Sequence, residues 1–198
     1  MDQRQKRQIG DQIEPGGRAK APGRLELLQR FINTWNHDLP PDWDRLATGH
    51  SARTWLRDHQ LITRNTTISA IDAARLRQIR EALRSLVLAN ATGLHDATSI
   101  ALLQTAAIPA TLIVTLDDTG HTDLHPRETD LDGAVATLLA VLHEAQLTGT
   151  WPRLKGCRQC SYAFYDLSKN RSAAWCSMSI CGNRNKNRTY YQRRRPAD

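Results

Sequence analysis

The sequence of 198 residues has few cysteines and no long apolar run. No stretch approaches the roughly 18 apolar residues that a membrane-spanning helix needs, and residues 1–24 lack the apolar segment of a secretion signal. We therefore expect no membrane partner and a reducing, cytoplasmic location. In that compartment the four cysteines, which all lie after residue 156, are expected to bind metal rather than form disulfides.

Acidic residues are scarce near the C-terminus. Residues 151–198 contain eleven Lys and Arg but only two Asp, whereas residues 25–150 contain ten basic and fifteen acidic residues. Seven of the eleven aromatic residues also lie in the last 48 positions. A basic C-terminal module that follows an acidic body indicates contact with a polyanion at one end of the molecule.

The chain is predicted to contain a tail and two domains. Residues 1–23 are polar, contain Gly and Pro and show no periodic apolar pattern, which predicts a disordered N-terminal tail. Residues 24–149 show helical periodicity, and residues 150–198 hold the cysteines and the excess of basic residues. We expect the body to fold without the C-terminal module, because the apolar stripes of its helices can bury one another.

Apolar residues recur at helical spacing in five segments of the body, which predicts a mainly helical fold. The first helix carries a stripe from Leu25 to Trp35 and is stopped before Pro40-Pro41. The third opens at Ser69-Ala70-Ile71-Asp72, which has the pattern of a capping box, and ends at Gly93. The other helices are predicted at residues 51–59, 96–107 and 130–147.

One β-hairpin is predicted between the fourth and fifth helices. Residues 110–116 are apolar and β-branched, Asp117-Asp118-Thr119-Gly120 supplies a turn, and residues 121–125 return as a second strand. On that strand His121, Asp123 and His125 would share one face. They permit a second metal site, although a solvated edge strand is the preferred interpretation.

The four cysteines form two close pairs. Two residues separate Cys157 from Cys160, four separate Cys176 from Cys181, and fifteen lie between the pairs. This spacing suits one tetrahedral Zn²⁺ held by four thiolates, a closed structural site without an open position for water. The insert at residues 161–175 predicts a small hairpin, and the second pair stands at the head of a predicted basic helix over Ser179–Arg194. The predicted fold is thus a mainly α body with one small β-hairpin, followed by a treble-clef-like zinc finger.

Motifs around the cysteines resemble those of the CGNR zinc-finger family. They are Cys157-Arg-Gln-Cys160, Phe164-Tyr-Asp166-Leu-Ser168, and the run from Trp175-Cys176-Ser177-Met178 to Cys181-Gly182-Asn183-Arg184. The sequence departs from the family at Ala173-Ala174, where relatives often carry a basic pair.

The body resembles the ABATE domain that usually accompanies this finger. The resemblance rests on Phe31-Ile-Asn33-Thr34, Trp55-Leu56 and Arg80-x3-Arg84. It implies a stress-induced bacterial transcription regulator with a DNA-binding finger and a body that senses a small ligand.

Basic residues of the predicted C-terminal helix are the candidates for DNA contact. Residues 184, 188, 191 and 195 would share one face of that helix. The predicted DNA-binding residues are Arg184, Lys186, Arg188, Arg193, Arg194 and Arg195. For Arg184, which lies close to the last cysteine, bracing of the finger is an equally good interpretation.

Arg80 is a cation on the apolar stripe of the third helix. Such a residue must pair with an acid, extend to solvent or meet an anionic ligand. Pairing or extension to solvent is the default, and a ligand site formed by Arg80 with Asn33 and Thr34 is the alternative hypothesis. The sequence carries no Walker loop, G-x-S-x-G or G-x-G-x-x-G motif, so we predict that the protein is not an enzyme.

Two other functions fit the same basic module. A zinc-stabilised protein-interaction module would present its basic surface to an acidic partner. A single-stranded RNA binder would stack bases on Tyr190, Tyr191 and Trp175. Exposure of these aromatic rings would distinguish stacking from phosphate contact.

Overall fold

The computed structural model describes residues 18–187. Its elements confirm the predicted class, a mainly helical body with one hairpin and a cysteine-bearing C-terminal unit. The helices are α1 (Leu25–Ile32), α2 (Gly49–Asp58), α3 (Ala70–Thr92), α4 (Ala97–Ala107) and α5 (Leu131–Leu147). The strands form two antiparallel pairs, β1 (Leu112–Leu116) with β2 (Thr122–Pro126), and β3 (Leu154–Gly156) with β4 (Ala163–Tyr165). Short 3₁₀ turns lie at Pro41–Trp43 and Trp151–Arg153, and a π-helical turn lies at Met178–Gly182.

No helix described between residues 18 and 187 has both the length and the apolar character needed to cross a membrane.

Side-chain caps fix where α2 and α3 begin. The predicted capping box of α3 is present, since Ser69 Oγ accepts from the Asp72 amide and Asp72 Oδ2 accepts from the Ser69 amide. Gly93 ends this helix in the left-handed conformation, with a φ of 77°. α2 begins at Gly49, two residues before the predicted start, because Thr48 forms a reciprocal cap with Ser51.

The first helix is shorter than predicted, and Trp35 lies outside it. α1 ends at Ile32. Arg84 of α3 donates to the carbonyl oxygens of Ile32 and Trp35, both at 2.6 Å. The Thr34 hydroxyl donates to the Phe31 carbonyl oxygen at 2.8 Å. These side chains donate hydrogen bonds to the carbonyl groups at the end of α1. The helix can therefore end at Ile32 without leaving buried carbonyl groups unpaired.

One apolar core joins the body to the C-terminal hairpin. Its largest buried side chains come mainly from α1, α3 and α5, among them Leu28, Phe31, Leu76, Ile79, Leu83 and Leu138. Trp151, Leu154 and Ala163 belong to the same cluster. β3 approaches α3 so closely that a Cβ on Gly156 would lie 2.6 Å from Leu88 Cδ2. The hairpin therefore packs directly on the body, and separate folding of the two units stays a prediction.

The last part of the predicted tail, residues 18–23, is described and packs against α1. Gln29 of α1 holds it, because Gln29 Oε1 accepts from the Ala21 amide at 2.7 Å and Gln29 Nε2 donates to the Ala19 carbonyl at 3.2 Å. Ala21 is buried in the core. The rest of the predicted tail, residues 1–17, lies outside the described residues.

The β1–β2 hairpin has the predicted turn. The Asp117 carboxylate accepts from the amides of Thr119 and His121, at 2.8 and 2.9 Å. This places His121 in the turn rather than on β2, where Asp123 and His125 form an exposed pair at 3.4 Å. Within residues 18–187, only the cysteines form a group close enough to hold a metal ion.

Candidate metal centre

The first cysteine pair lies on the tight turn between β3 and β4. The Cys157 amide donates to the Tyr162 carbonyl, and the Ser161 amide donates to the Cys157 carbonyl, both at 2.9 Å. Ser161 takes a left-handed conformation with a φ of 59°, which lets the chain reverse sharply. Cys157 and Cys160 are thereby brought side by side on a knuckle.

The hairpin differs from the one predicted within residues 161–175. Only Ala163–Tyr165 of that insert is a strand, and it pairs with Leu154–Gly156 across the knuckle. The remaining insert folds around Asp166, whose carboxylate accepts from the amides of Ser168 and Ala173. Since these bonds turn the chain inward after Tyr165, a return strand does not form.

The second cysteine pair stands at the start of a helical segment. A π-helical turn covers Met178–Gly182, and helical backbone continues through residue 187. The Cys181 amide donates to the Ser177 carbonyl at 3.0 Å, which ties the fourth cysteine to the turn that follows Cys176. The rest of the predicted helix, from residue 188, lies outside the described residues.

The four cysteines are buried, unbridged and close together. Their sulfur atoms all lie within 4.8 Å of one another, and the pairs Cys160–Cys176, Cys176–Cys181 and Cys160–Cys181 are each 3.6 Å apart. A tetrahedron of Zn–S bonds of about 2.3 Å places its sulfur atoms about 3.8 Å apart. Disulfide sulfurs would be bonded at about 2.05 Å. The donor set therefore fits one structural zinc ion held by four thiolates.

The thiols strongly influence one another's ionisation. Hydrogen bonds from Cys160 and Cys176 hold the pKa of Cys157 far below its ordinary value. The same contacts with Cys157 raise the pKa of Cys160, and raise that of Cys176 to about 12. Burial raises the pKa of Cys181. Because a second thiolate beside the first is unfavourable, a divalent cation is what allows all four to ionise, and zinc binding displaces protons.

A buried ion pair supports the insert between the cysteine pairs. Lys155 Nζ lies 2.9 Å from Asp166 Oδ2, with side chains 7% and 0% exposed. Lys155 also donates to the Arg171 carbonyl oxygen. Although burial alone would raise it, hydrogen bonds from Ser168 and Lys155 lower the pKa of Asp166 to about 2. Lys155, one of the eleven basic residues of residues 151–198, thus faces inward and does not add to the exposed charge of the finger.

Polar side chains of the body bind the backbone of the C-terminal hairpin. Asn33, one of the predicted ligand residues, both donates to and accepts from Ala163 backbone atoms at 2.8 Å. Gln29 donates to the same carbonyl at 3.2 Å. On the other side, Asn90 donates to the carbonyls of Trp151 and Leu154, both at 2.9 Å. Asn33 thus has a structural partner on the hairpin.

Arg80, the second predicted ligand residue, is buried and paired. Its guanidinium forms a bidentate pair with Asp44, at 2.6 and 3.0 Å, and contacts Glu81 at 2.8 Å. It also donates to the hydroxyl of Thr34, the third predicted ligand residue, at 3.2 Å. The structure therefore shows Arg80 paired with acids, one of the two arrangements that the sequence analysis took as the default. A ligand contact at Asn33, Thr34 and Arg80 stays an untested prediction.

The residues predicted to contact DNA are described only in part. Lys186 is exposed, and Arg184 Nη1 lies 3.0 Å from Asp38 Oδ2 in the body. Arg184 thus braces the finger against the body through this ion pair. Its side chain is still 55% exposed, so it remains accessible to DNA. The other predicted residues, Arg188, Arg193, Arg194 and Arg195, lie outside the described residues.

Comparisons with known families agree with this architecture. Residues 25–152 match the ABATE family, described as "putative stress-induced transcription regulator". Residues 153–194 match the CGNR zinc finger. No curated protein matches the chain significantly.

Proposed function

Because the chain belongs to the ABATE family and ends in a CGNR zinc finger, we propose that it is a transcription regulator whose finger binds duplex DNA. The observation that carries the proposal is the charge of residues 151–198, eleven basic residues against two acidic ones. An acidic body beside this basic finger would be repelled by DNA and would orient the finger toward it. We further propose that the protein acts in the cytoplasm and is not an enzyme.

The described part of the finger presents several cations to solvent. Five basic side chains are exposed, at Arg158, Lys169, Arg171, Arg184 and Lys186. Exposed cations on a rigid support favour phosphate contact, which depends on charge rather than on base sequence. Zinc supplies the rigidity, because the cysteine cluster and its few apolar neighbours are a small core.

The proposal is tested by DNA binding with and without zinc. We expect one zinc per chain, retention of genomic DNA fragments by the zinc-loaded protein, and loss of both properties in Cys176→Ser. Full zinc occupancy in Cys176→Ser would contradict the ligand assignment. DNA binding that survives complete chelation would contradict a zinc-dependent finger.

The described aromatic residues favour phosphate contact over base stacking. Trp175 is half-buried and packs against the cysteine cluster, so it is poorly placed to stack on an unpaired base. Tyr190 and Tyr191 lie outside the described residues. Preference for single-stranded RNA over duplex DNA in a competition experiment would favour the RNA-binding alternative. Failure to bind either nucleic acid would favour an acidic protein partner.

We also propose that the body senses a small ligand, and a surface groove supports this second function. The groove measures about 670 Å³ and lies between the segment after α1, α3 and the start of α4. Trp35 and His37 form one wall, with ring centres 5.3 Å apart. Arg77 lines it too, and in the part of the chain that the structure describes it contacts backbone carbonyls rather than a carboxylate. A flat anion suits an aromatic wall beside such a cation.

The groove lies beside the segment that contacts the finger. His37 lines the groove and lies 3.4 Å from the Ser161 hydroxyl, and the next residue, Asp38, pairs with Arg184. Occupation of the groove would therefore act on the contacts that hold the finger.

Salicylate is a suitable probe for this groove. In an NMR titration we expect it to shift the Trp35 indole signal, and we expect Arg77→Gln to abolish that shift while Arg75→Gln preserves it. Arg75 is a matched control because it lies on the same helix and pairs with Asp132. An unmoved Trp35 signal, or equal shifts in Arg77→Gln, would contradict a flat-anion site.

A further inference from the structure

Arg18 reaches the zinc centre from outside the finger. It lies in the segment that Gln29 holds against the fold through Ala19 and Ala21. Gln29 also donates to Ala163 on β4, so the segment and the finger hairpin share one anchor. This anchoring places the Arg18 side chain over the cysteine knuckle.

The guanidinium of Arg18 lies over an aromatic ring that packs against the cysteine cluster. Its central carbon lies 4.0 Å from the centre of the Tyr162 ring. Although burial lowers the pKa of Arg18, the nearby thiol of Cys176 and the phenol of Tyr162 raise it, because negative charge on these groups favours the guanidinium cation. The Arg18 Nε is buried without a hydrogen-bond partner in the described residues.

The zinc centre needs such a cation. Zn²⁺ with four thiolates has a formal charge of −2, and burying that charge is costly unless donors and cations surround it. Three basic residues of the finger have other partners, since Lys155 pairs with Asp166, Arg184 pairs with Asp38, and Arg158 donates to a body carbonyl. Arg18, which lies over Tyr162 beside the cysteines, is placed to supply such a charge.

We propose that Arg18 is a positioning residue of the zinc centre. Its guanidinium donates to the zinc-bound thiolate of Cys176 and stacks on Tyr162. It thereby slows zinc release and fastens the N-terminal segment to the finger. This role concerns the metal centre alone and does not depend on DNA binding.

The first test is the rate of zinc release from the full-length protein to excess chelator. We expect Arg18→Gln to release zinc about tenfold faster, as for other outer-sphere partners. Arg18→Lys keeps the charge but not the planar group. It is expected to release zinc at a rate between those of the wild type and Arg18→Gln. Lys20→Gln is the matched control, because the exposed Lys20 lies in the same segment but pairs with Glu26. Equal release rates in wild type and Arg18→Gln, or equal acceleration in Lys20→Gln, would overturn the proposal.

A second readout separates positioning from simple loss of structure. In the cobalt-substituted protein, a hydrogen bond to a thiolate lowers the energy of its lone pairs. The sulfur-to-cobalt charge-transfer band of Arg18→Gln should therefore move to longer wavelength, with the circular dichroism unchanged. An unmoved band would show that Arg18 makes no hydrogen bond to a metal-bound thiolate. If Arg18→Gln does not fold, the same band measured in Arg18→Lys decides the question.

Discussion

Arg84 Nη1 donates to the carbonyl oxygen of Ser161 at 2.8 Å, which joins the longest helix of the body to the residue directly after a zinc ligand. The same guanidinium binds two carbonyls at the end of α1 and the Glu81 carboxylate. The Arg84 side chain is only 2% exposed, so these bonds are shielded from water. Body and finger thus share a buried polar centre as well as an apolar core.

Replacing Arg84 with Ala is expected to lower the free energy of unfolding by about 3 kcal/mol, because buried carbonyls lose their donor. Urea denaturation measures this change. Arg57→Ala is the control, since its exposed pair with Asp58 contributes at most about 1 kcal/mol. Equal destabilisation by the two substitutions would show that the buried hydrogen bonds of Arg84 stabilise the fold no more than the control ion pair does.

Chelation of zinc is expected to preserve most of the helical circular dichroism, because α1 to α5 bury one another's apolar faces. It should lower the Tm of the body by about 5 °C, because the knuckle no longer holds the hairpin against α3. Addition of zinc should restore the Tm. Complete loss of helicity would show that the body cannot fold without the finger, and an unchanged Tm would show that the two units are not coupled.

Asp38 competes with DNA phosphates for Arg184. Asp38→Asn should therefore bind duplex DNA about threefold more tightly at low salt, a gain typical of an exposed ion pair. Fluorescence anisotropy provides the affinities. Asp58→Asn removes an acid that pairs with a body arginine and serves as the control for net charge. An equal gain in DNA affinity in both variants would show that the effect comes from net charge alone. No gain in Asp38→Asn would show that Arg184 links the finger to the body without contacting DNA.

The Lys155–Asp166 pair predicts a pH-dependent contribution to stability. The pKa of Asp166 is lowered to about 2 in the folded protein, so the contribution is present above the unfolded pKa and is lost as pH falls toward 2. Asp166→Asn should cost about 3 kcal/mol at pH 7. That difference from wild type should shrink between about pH 5 and pH 2. Exposed Asp118, replaced by Asn, is the control, and a pH-independent difference would refute the charged pair.

Local patterns predicted much of the fold. The capping box at Ser69, the left-handed Gly93 and the cysteine spacing each depend on residues a few positions apart, so the sequence displays them directly. The cysteine spacing also identified the metal centre. Such signals predict where a helix begins and which residues bind a metal, because all the interacting residues lie within a short segment.

Long-range polar contacts could not be predicted in the same way. Arg84 ends α1 early, Asp166 redirects the insert, and Gln29 orders the segment that contains Arg18. Each contact joins residues whose proximity depends on the finished fold, and no periodic pattern marks the partner. The partner of Arg184 was left undecided for the same reason, since bracing and DNA contact require the same charge.

The salt dependence of duplex DNA binding tests the central claim most directly. The affinity of the zinc-loaded protein for one duplex should be measured at several salt concentrations. If the basic finger neutralises about five phosphates, the logarithm of affinity should fall against the logarithm of salt concentration with a slope of about −4.5. Arg188→Ala should flatten that slope by about one unit. No binding at low salt with zinc present, or an affinity independent of salt, would contradict a DNA-binding finger.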